Sequence, residues 1–337
     1  MSCRLLVSLA VVAAMIALSA AAQAPTAAAK AAAATKTGSY TPPRTPDGQP
    51  DLQGIWNNGT VTPMERPADL KGKEFFTPQE ALAWEKQVVD RANRDQRTPG
   101  TDRDVAQAYN DVWWDSGTKV VRTLRTSMVV DPPDGRVPPL TAKAQEAQRA
   151  RFAGMQHPAE TARDRPLAER CLQFPTSGPP MTPYVYNNNF RIVQSKDTVA
   201  INIELLHDVR VIPLDGRAHL PSSVRLWFGD SVGHWEGNML VVDTTNFSDK
   251  TSYRGSDENL HVIERFTRLD PETIVYRFTI DDPTAFTKPW TAEMTWAKTA
   301  GPMYEYACHE GNYGMMNLLK GARADEKAAE EAAKKQK

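Results

Sequence analysis

His261-Val262-Ile263-Glu264-Arg265-Phe266-Thr267-Arg268 and Thr273-Ile274-Val275-Tyr276-Arg277-Phe278-Thr279-Ile280 are two runs rich in β-branched and aromatic residues, separated by Leu269 and the turn tripeptide Asp270-Pro271-Glu272. Such side chains suit a pleated, half-buried surface, and the tripeptide suits a tight reversal, so the stretch reads as an antiparallel hairpin. Working outward, the same character recurs at Phe190 to Val193, Val199 to Ile212, Arg225 to Phe228, Met239 to Thr244, Trp290 to Trp296 and Tyr304 to Cys308. Gly, Asp, Asn or Pro separate most of these runs, and Glu236-Gly237-Asn238 offers a second hairpin turn. The spacing predicts a mainly β protein, an antiparallel meander that closes into a barrel or a strongly curled sheet.

Upstream the pattern changes. Thr77-Pro78-Gln79-Glu80 carries a helix start, with Thr as N-cap, Pro at the first helical position and Glu three residues after the cap, and predicts a helix to about Arg94. Val130 to Leu140 is extended and turn-rich, and Thr141 to Phe152 is again helical in pattern. Further upstream, Asp51-Leu52-Gln53-Gly54-Ile55-Trp56 resembles the Gly-x-Trp opening strand of lipocalin-type barrels, where the Gly permits close approach and the Trp plugs one end. The expected architecture is a lipocalin-like barrel or curled sheet whose first strand is separated from the others by a helical excursion, about residues 77–170, within one domain over residues 41–320.

The ends carry other signals. Arg4, the apolar run Leu5 to Leu18 and Ser19-Ala20-Ala21-Ala22 read as a cleaved signal peptide over residues 1–22, followed by a linker to residue 40 and, at the other end, a charged tail over residues 321–337. A 14-residue apolar run is short of the roughly 20 a spanning helix needs, so no membrane span is expected after cleavage, and the protein is expected to be periplasmic or secreted. Cleavage leaves Cys171 and Cys308, which an oxidising compartment would pair; the alternative is two free buried thiols. A disulfide closing so long a loop contributes about 4 to 5 kcal/mol in the chain-entropy treatment.

Several stretches resemble a family of exported bacterial proteins: Thr45-Pro46-Asp47-Gly48-Gln49-Pro50-Asp51-Leu52-Gln53-Gly54-Ile55-Trp56, Arg125-Thr126-Ser127-Met128-Val129-Val130-Asp131-Pro132-Pro133-Asp134-Gly135-Arg136, and Tyr304-Glu305-Tyr306-Ala307-Cys308-His309-Glu310-Gly311-Asn312-Tyr313. Tyr186-Asn187-Asn188-Asn189, His207-Asp208-Val209-Arg210 and the run Trp235 to Phe247 belong to the same pattern. Met128 and Asn238 stand where the pattern has Leu and Asp. The resemblance implies no catalytic residue that transfers to this chain.

Chemistry must therefore be read from the residues. With 40 Lys plus Arg against 41 Asp plus Glu, the 337-residue chain has no global basic field for nucleic acid. Nucleotide-binding glycine motifs, phosphate loops, zinc-protease His-Glu-x-x-His and Cys-x-x-Cys are missing. Acid–base chemistry is what remains economical. His207 interrupts an apolar row, His261 lies near Glu264, and His309-Glu310 follows Cys308, which a disulfide would fix in place. His207, Asp208, His261 and His309 are the candidate catalytic groups, with Glu204, Arg210, Tyr306, Glu310 and Trp235 as candidate substrate contacts. The competing readings are a solvated strand face carrying cross-strand ion pairs for Glu204 and Arg210, satisfied or surface histidines, and core packing for the aromatics. No organic cofactor is implied. The imidazoles with Glu204, Asp208 or Glu310 would also suit zinc or copper, although their spacing does not require a metal. Besides a structural or accessory component of an envelope complex, to which the Pro-rich entry segment and charged tail point, two functions fit: an exported acid–base enzyme that hydrolyses, eliminates from or isomerises a small sugar, aromatic or terpenoid substrate, or a lipocalin-like carrier of a small hydrophobic or ring-shaped ligand. Convergence of the three imidazoles on one cavity separates them.

Overall fold

The computed structural model describes residues 40–93, 100–101, 114–155, 158–251 and 253–335; the expected signal peptide and nearly all of the linker lie outside them. Ten strands among these residues form one antiparallel sheet: β1 (Gly54–Asn57), β2 (Val129–Asp131), β3 (Asn189–Ser195), β4 (Thr198–Ile203), β5 (Val209–Pro213), β6 (Asp230–Glu236), β7 (Met239–Thr245), β8 (Val262–Asp270), β9 (Thr273–Ile280) and β10 (Trp290–Thr299). Their lateral order is β5-β4-β3-β1-β10-β9-β8-β7-β6, with β2 paired separately to β10. The β8–β9 hairpin shows why the sequence curls. Val262, Glu264, Phe266 and Arg268 alternate inward, opposite Ile280, Phe278, Tyr276 and Ile274, and bury one face.

Trp56 sits at the join. Its strand lies between β3 and β10, its ring is fully buried, and its indole N–H donates to the Leu52 carbonyl at 2.9 Å. Gly54 adopts φ +136°, a conformation that L side chains rarely take, and the Arg268 guanidinium covers the Trp56 ring at 5.3 Å from its centroid. The backbone ladder does not close. β5 and β6 are its two free ends, joined by side chains: a Cβ on Gly233 of β6 would fall 2.9 Å from Ile212 of β5, so only glycine permits that approach.

The excursion between β1 and β3 holds α1 (Pro78–Ala92) and α2 (Ala142–Met155). Thr77 and Glu80 form the reciprocal capping box at the start of α1, and Phe76, Ala81 and Trp84 pack a small satellite core. β2 also lies in the excursion, where the sequence suggested only extended chain: its pairing with β10 decides it. The last helix, α3 (Gly314–Lys335), runs across the expected tail boundary at residue 320 and docks through Arg323, whose guanidinium donates to the carbonyls of Ala159 and Glu160.

Four strand expectations need correction. Val199 to Ile212 is not one strand but a hairpin, β4 and β5, reversed at Leu205–His207. Leu206 and His207 both take positive φ there, 63° and 48°, which costs on the order of 1–3 kcal/mol per residue. Burying Leu205 and Leu206 returns about 1.5–3 kcal/mol each, enough to hold the turn. Arg225 to Phe228 makes only a single bridge, Leu226 to Phe247, and Tyr304 to Cys308 is irregular. β6 was not expected, because Asp, Ser and Gly disfavour strands; pairing across the Gly237-Asn238 turn overrides that.

Candidate functional site

A cavity of about 790 Å³ opens where the β4–β5 turn, the chain before β3 and the segment after β10 meet. The disulfide Cys171–Cys308 fixes its outer wall, bonding the segment after β10 to a loop 137 residues earlier. The aromatic side is a cluster: Tyr186 packs parallel to Tyr306 at 6.3 Å between centroids and edge-on to Tyr184 at 5.1 Å, while Phe174 backs both Tyr184 and Tyr306. Burial, with Tyr306 and Tyr184 adding to it, pushes the Tyr186 phenol well above its ordinary pKa, so it stays a neutral donor. The polar side is built by Glu204, which follows β4 directly. Its carboxylate accepts from Tyr304 N at 2.9 Å, from Asn189 N at 3.3 Å and from Asn189 Nδ2 at 2.8 Å. Asp115 lines the same space, held by the Asn57 amide at 2.9 Å.

A second cluster lies on β6, β7 and the loops beside them. Asp230 at the start of β6 accepts from Arg217 at 2.7 and 3.3 Å and from Leu220 N at 2.8 Å, and meets His219 Nδ1 at 3.0 Å. His219 Nε2 then meets Asp243 of β7 at 3.0 Å, and the other Asp243 oxygen meets His261 Nε2, also at 3.0 Å. The result is a chain of alternating carboxylates and imidazoles, Asp230–His219–Asp243–His261. Burial works against ionisation of Asp230, but the Arg217, Leu220 and His219 hydrogen bonds outweigh it and hold its pKa down. Asp243 is likewise held low against burial, by His261 and His219. The Asp243 hydrogen bond raises His261, against a smaller effect of burial. Both nitrogens of His219 are engaged. Nδ1 of His261 has no hydrogen-bond partner among the described residues.

No family model matches the sequence, and no curated protein matches it. Among solved structures, the chain is similar to the wild-type fluorescent protein UnaG, at 18% identity over 33% of this chain and 72% of that one, with a TM-score of 0.21. A point mutant of UnaG gives 16% identity, 34% and 72% coverage, and the same TM-score.

The structure distributes the sequence candidates over three places. Glu204, Tyr306 and Glu310 line the cavity together. The histidines do not join them. His207 is exposed, with Nδ1 3.3 Å from the Tyr306 carbonyl behind the wall; His309 is exposed beside the disulfide; His261 belongs to the other cluster. A shared site of His207, Asp208, His261 and His309 is therefore not what the chain builds, because the β4–β5 reversal turns His207 outward and His261 precedes β8 on the opposite half of the sheet. Asp208 is half-buried and its pKa is raised, by burial against the opposing charge of His207.

Arg210 is corrected as well. It points into the sheet interior, where Glu264 accepts a fork from it at 2.7 and 3.0 Å and Tyr276 donates to the same carboxylate at 2.7 Å. The hairpin shifts strand parity, so Arg210 and Ile212 face inward while Val209 and Val211 are exposed. The pairing of His261 with Glu264 fails because Glu264 is that buried partner. Trp235 packs against the core and does not line the tyrosine-walled cavity. Groups of three or more His, Cys, Asp or Glu able to hold a metal are absent among the described residues. Arg217, Asp230 and Asp243 had no signal in a single sequence, since three separated segments, the loop before β6, β6 and β7, assemble them around His219.

Proposed function

We propose that the protein is an exported binding protein for a small ring-bearing molecule, which the tyrosine-walled cavity accepts. One observation carries this reading: a volume of about 790 Å³, within the usual range for ligand sites, walled by packed aromatic rings on one side and fixed polar acceptors on the other, with none of the three candidate imidazoles in its lining. The apolar amino-terminal run and the disulfide support export, and no described helix is long and apolar enough to cross a membrane. Calorimetric titration with a panel of monocyclic aromatics and sugars tests the reading. Saturable binding that Tyr306→Ala weakens at least about tenfold supports it. Heat signals unchanged by Tyr306→Ala would remove the cavity from consideration.

A second reading, acid–base catalysis, is favoured by the Asp243–His261 pair. The carboxylate fixes the Nε2 proton and leaves Nδ1 as a base, the arrangement a general base requires. An esterase, lyase or isomerase activity found by substrate screening should fall about 10²-fold or more in His261→Ala. Equal rates in wild type and His261→Ala would end that reading.

A further inference from the structure

Four glutamates are buried among the described residues, and one is treated differently: Glu85 pairs with Lys119, and Glu293 with Arg125 and Arg277. Glu264, inside the sheet, is neutralised by the forked Arg210 guanidinium. Glu204 is only 2% exposed, yet its donors are all neutral amides, and it forms no ion pair with Lys, Arg or His among the described residues. Buried carboxylates are ordinarily paired with a cation, so a carboxylate on a cavity wall with only neutral donors leaves its countercharge to be supplied from the cavity. Three further carboxylates, Asp115, Glu305 and Glu310, line the same space, and no Lys, Arg or His does among the described residues. Tyr186 and Tyr306 line the same space, stacked nearly parallel at 6.3 Å between centroids, and the negative quadrupole of an aromatic ring attracts a cation without demanding hydrogen bonds from it.

We propose that the cavity binds an organic cation, a protonated or quaternary amine carrying a ring, with the ammonium between Glu204 and the tyrosine faces. The inference rests on the binding reading above and narrows it to one ligand class. Low-dielectric walls lined by one sign of charge also focus the field on an approaching cation and raise its local concentration.

Three probes of similar size and different charge test it by titration against the full chain: benzyltrimethylammonium, benzyl alcohol and benzoate. The cation should bind at least about tenfold more tightly than the alcohol, and benzoate should give no saturable signal. Added salt should weaken the cation and leave the alcohol unchanged. Glu204→Gln should reduce the cation's advantage at least about tenfold, and the exposed Glu305→Gln and Glu310→Gln, which disturb no buried contact, about two- to threefold each. Should Glu204→Gln fail to fold, the probe ratio and these two surface variants decide the matter. Benzyl alcohol binding as tightly as the cation, with Tyr306→Ala weakening both, overturns the cation class and leaves the cavity reading standing. Failure of all three probes, together with the sugar and aromatic panel, overturns both.

Discussion

The inside of the curled sheet and the cavity beyond the β4–β5 turn answer the same problem, a carboxylate removed from water, in opposite ways. In the interior, Glu264 has Arg210, the Tyr276 hydroxyl and well-packed aromatic neighbours, and Arg210 also reaches Ser231 at 3.3 Å. Burial alone would lower the Arg210 pKa, but Glu264 more than offsets it, and the guanidinium stays charged. At the cavity Glu204 meets only neutral donors, and its surroundings are held by a covalent bond in addition to aromatic packing. The interior is arranged to stay as it is. The cavity, on the reading proposed above, leaves one charge to be met by a ligand.

That contrast breaks first at the crosslink. Serine at both Cys171 and Cys308 should lower unfolding stability by about 5 kcal/mol if the loss of loop-closure entropy is fully expressed, measured as a shift in urea midpoint at constant slope. The cavity should lose its ligand affinity under mild conditions where the sheet remains folded, because Tyr304 to Cys308 has no strand pairing to hold it. Retention of full affinity in the double serine variant would show that the aromatic cluster positions the wall unaided.

The next test compares the two glutamates directly. Glu264→Gln leaves the buried Arg210 without its countercharge and should cost about 3–5 kcal/mol. Glu204→Gln leaves no stranded cation and disturbs only hydrogen bonds, so about 1–2 kcal/mol is expected. Equal losses would mean that Glu204 is structural too, and would remove the distinction between the regions.

The sequence displayed one region far better than the other. Hairpin β8–β9, the Trp56 strand, helix α1 and the Cys171–Cys308 bond were legible because each rests on a local pattern or on a count of two: alternation, a Gly-x-Trp, a Thr-Pro-x-Glu start, two remaining cysteines. Glu204 and Tyr306 were legible as polar or aromatic interruptions of apolar runs. Arg210 was misplaced because no Gly or Pro marks the reversal at Leu205–His207; a buried leucine pair, Leu205 and Leu206, holds it, and one residue of lost parity exchanges inside for outside. The Asp230–His219–Asp243–His261 chain was illegible for a different reason, since its members come from separate loops and strands and acquire their relation only when β6, β7 and the loop before β6 pack together.

That chain gives the smallest and most specific expected effect. The hydrogen bond that His261 donates to Asp243 raises the His261 pKa in the folded state, so its contribution is fully present below about pH 6.5, the ordinary imidazole value, and is lost as pH rises through the raised folded value. Asp230 and Asp243 are depressed, so theirs is present above about pH 3.9 and is lost as pH falls through the depressed values. Between these limits stability from the network is flat. Moving from about pH 6 to about pH 9 should therefore lower the urea midpoint slightly, by less than about 1 kcal/mol, because His261 and Asp243 are each about a third exposed and solvent screens their attraction. His261→Gln should be a little less stable at the lower pH and should show a weaker decline, while Glu204→Gln should decline as wild type does. If His261→Gln keeps the full wild-type slope, the titrating group lies elsewhere and the Asp243–His261 contact contributes nothing measurable. A slope removed by His261→Gln and preserved in Glu204→Gln would show that the two halves of the sheet titrate independently, as their separate hydrogen-bond networks require.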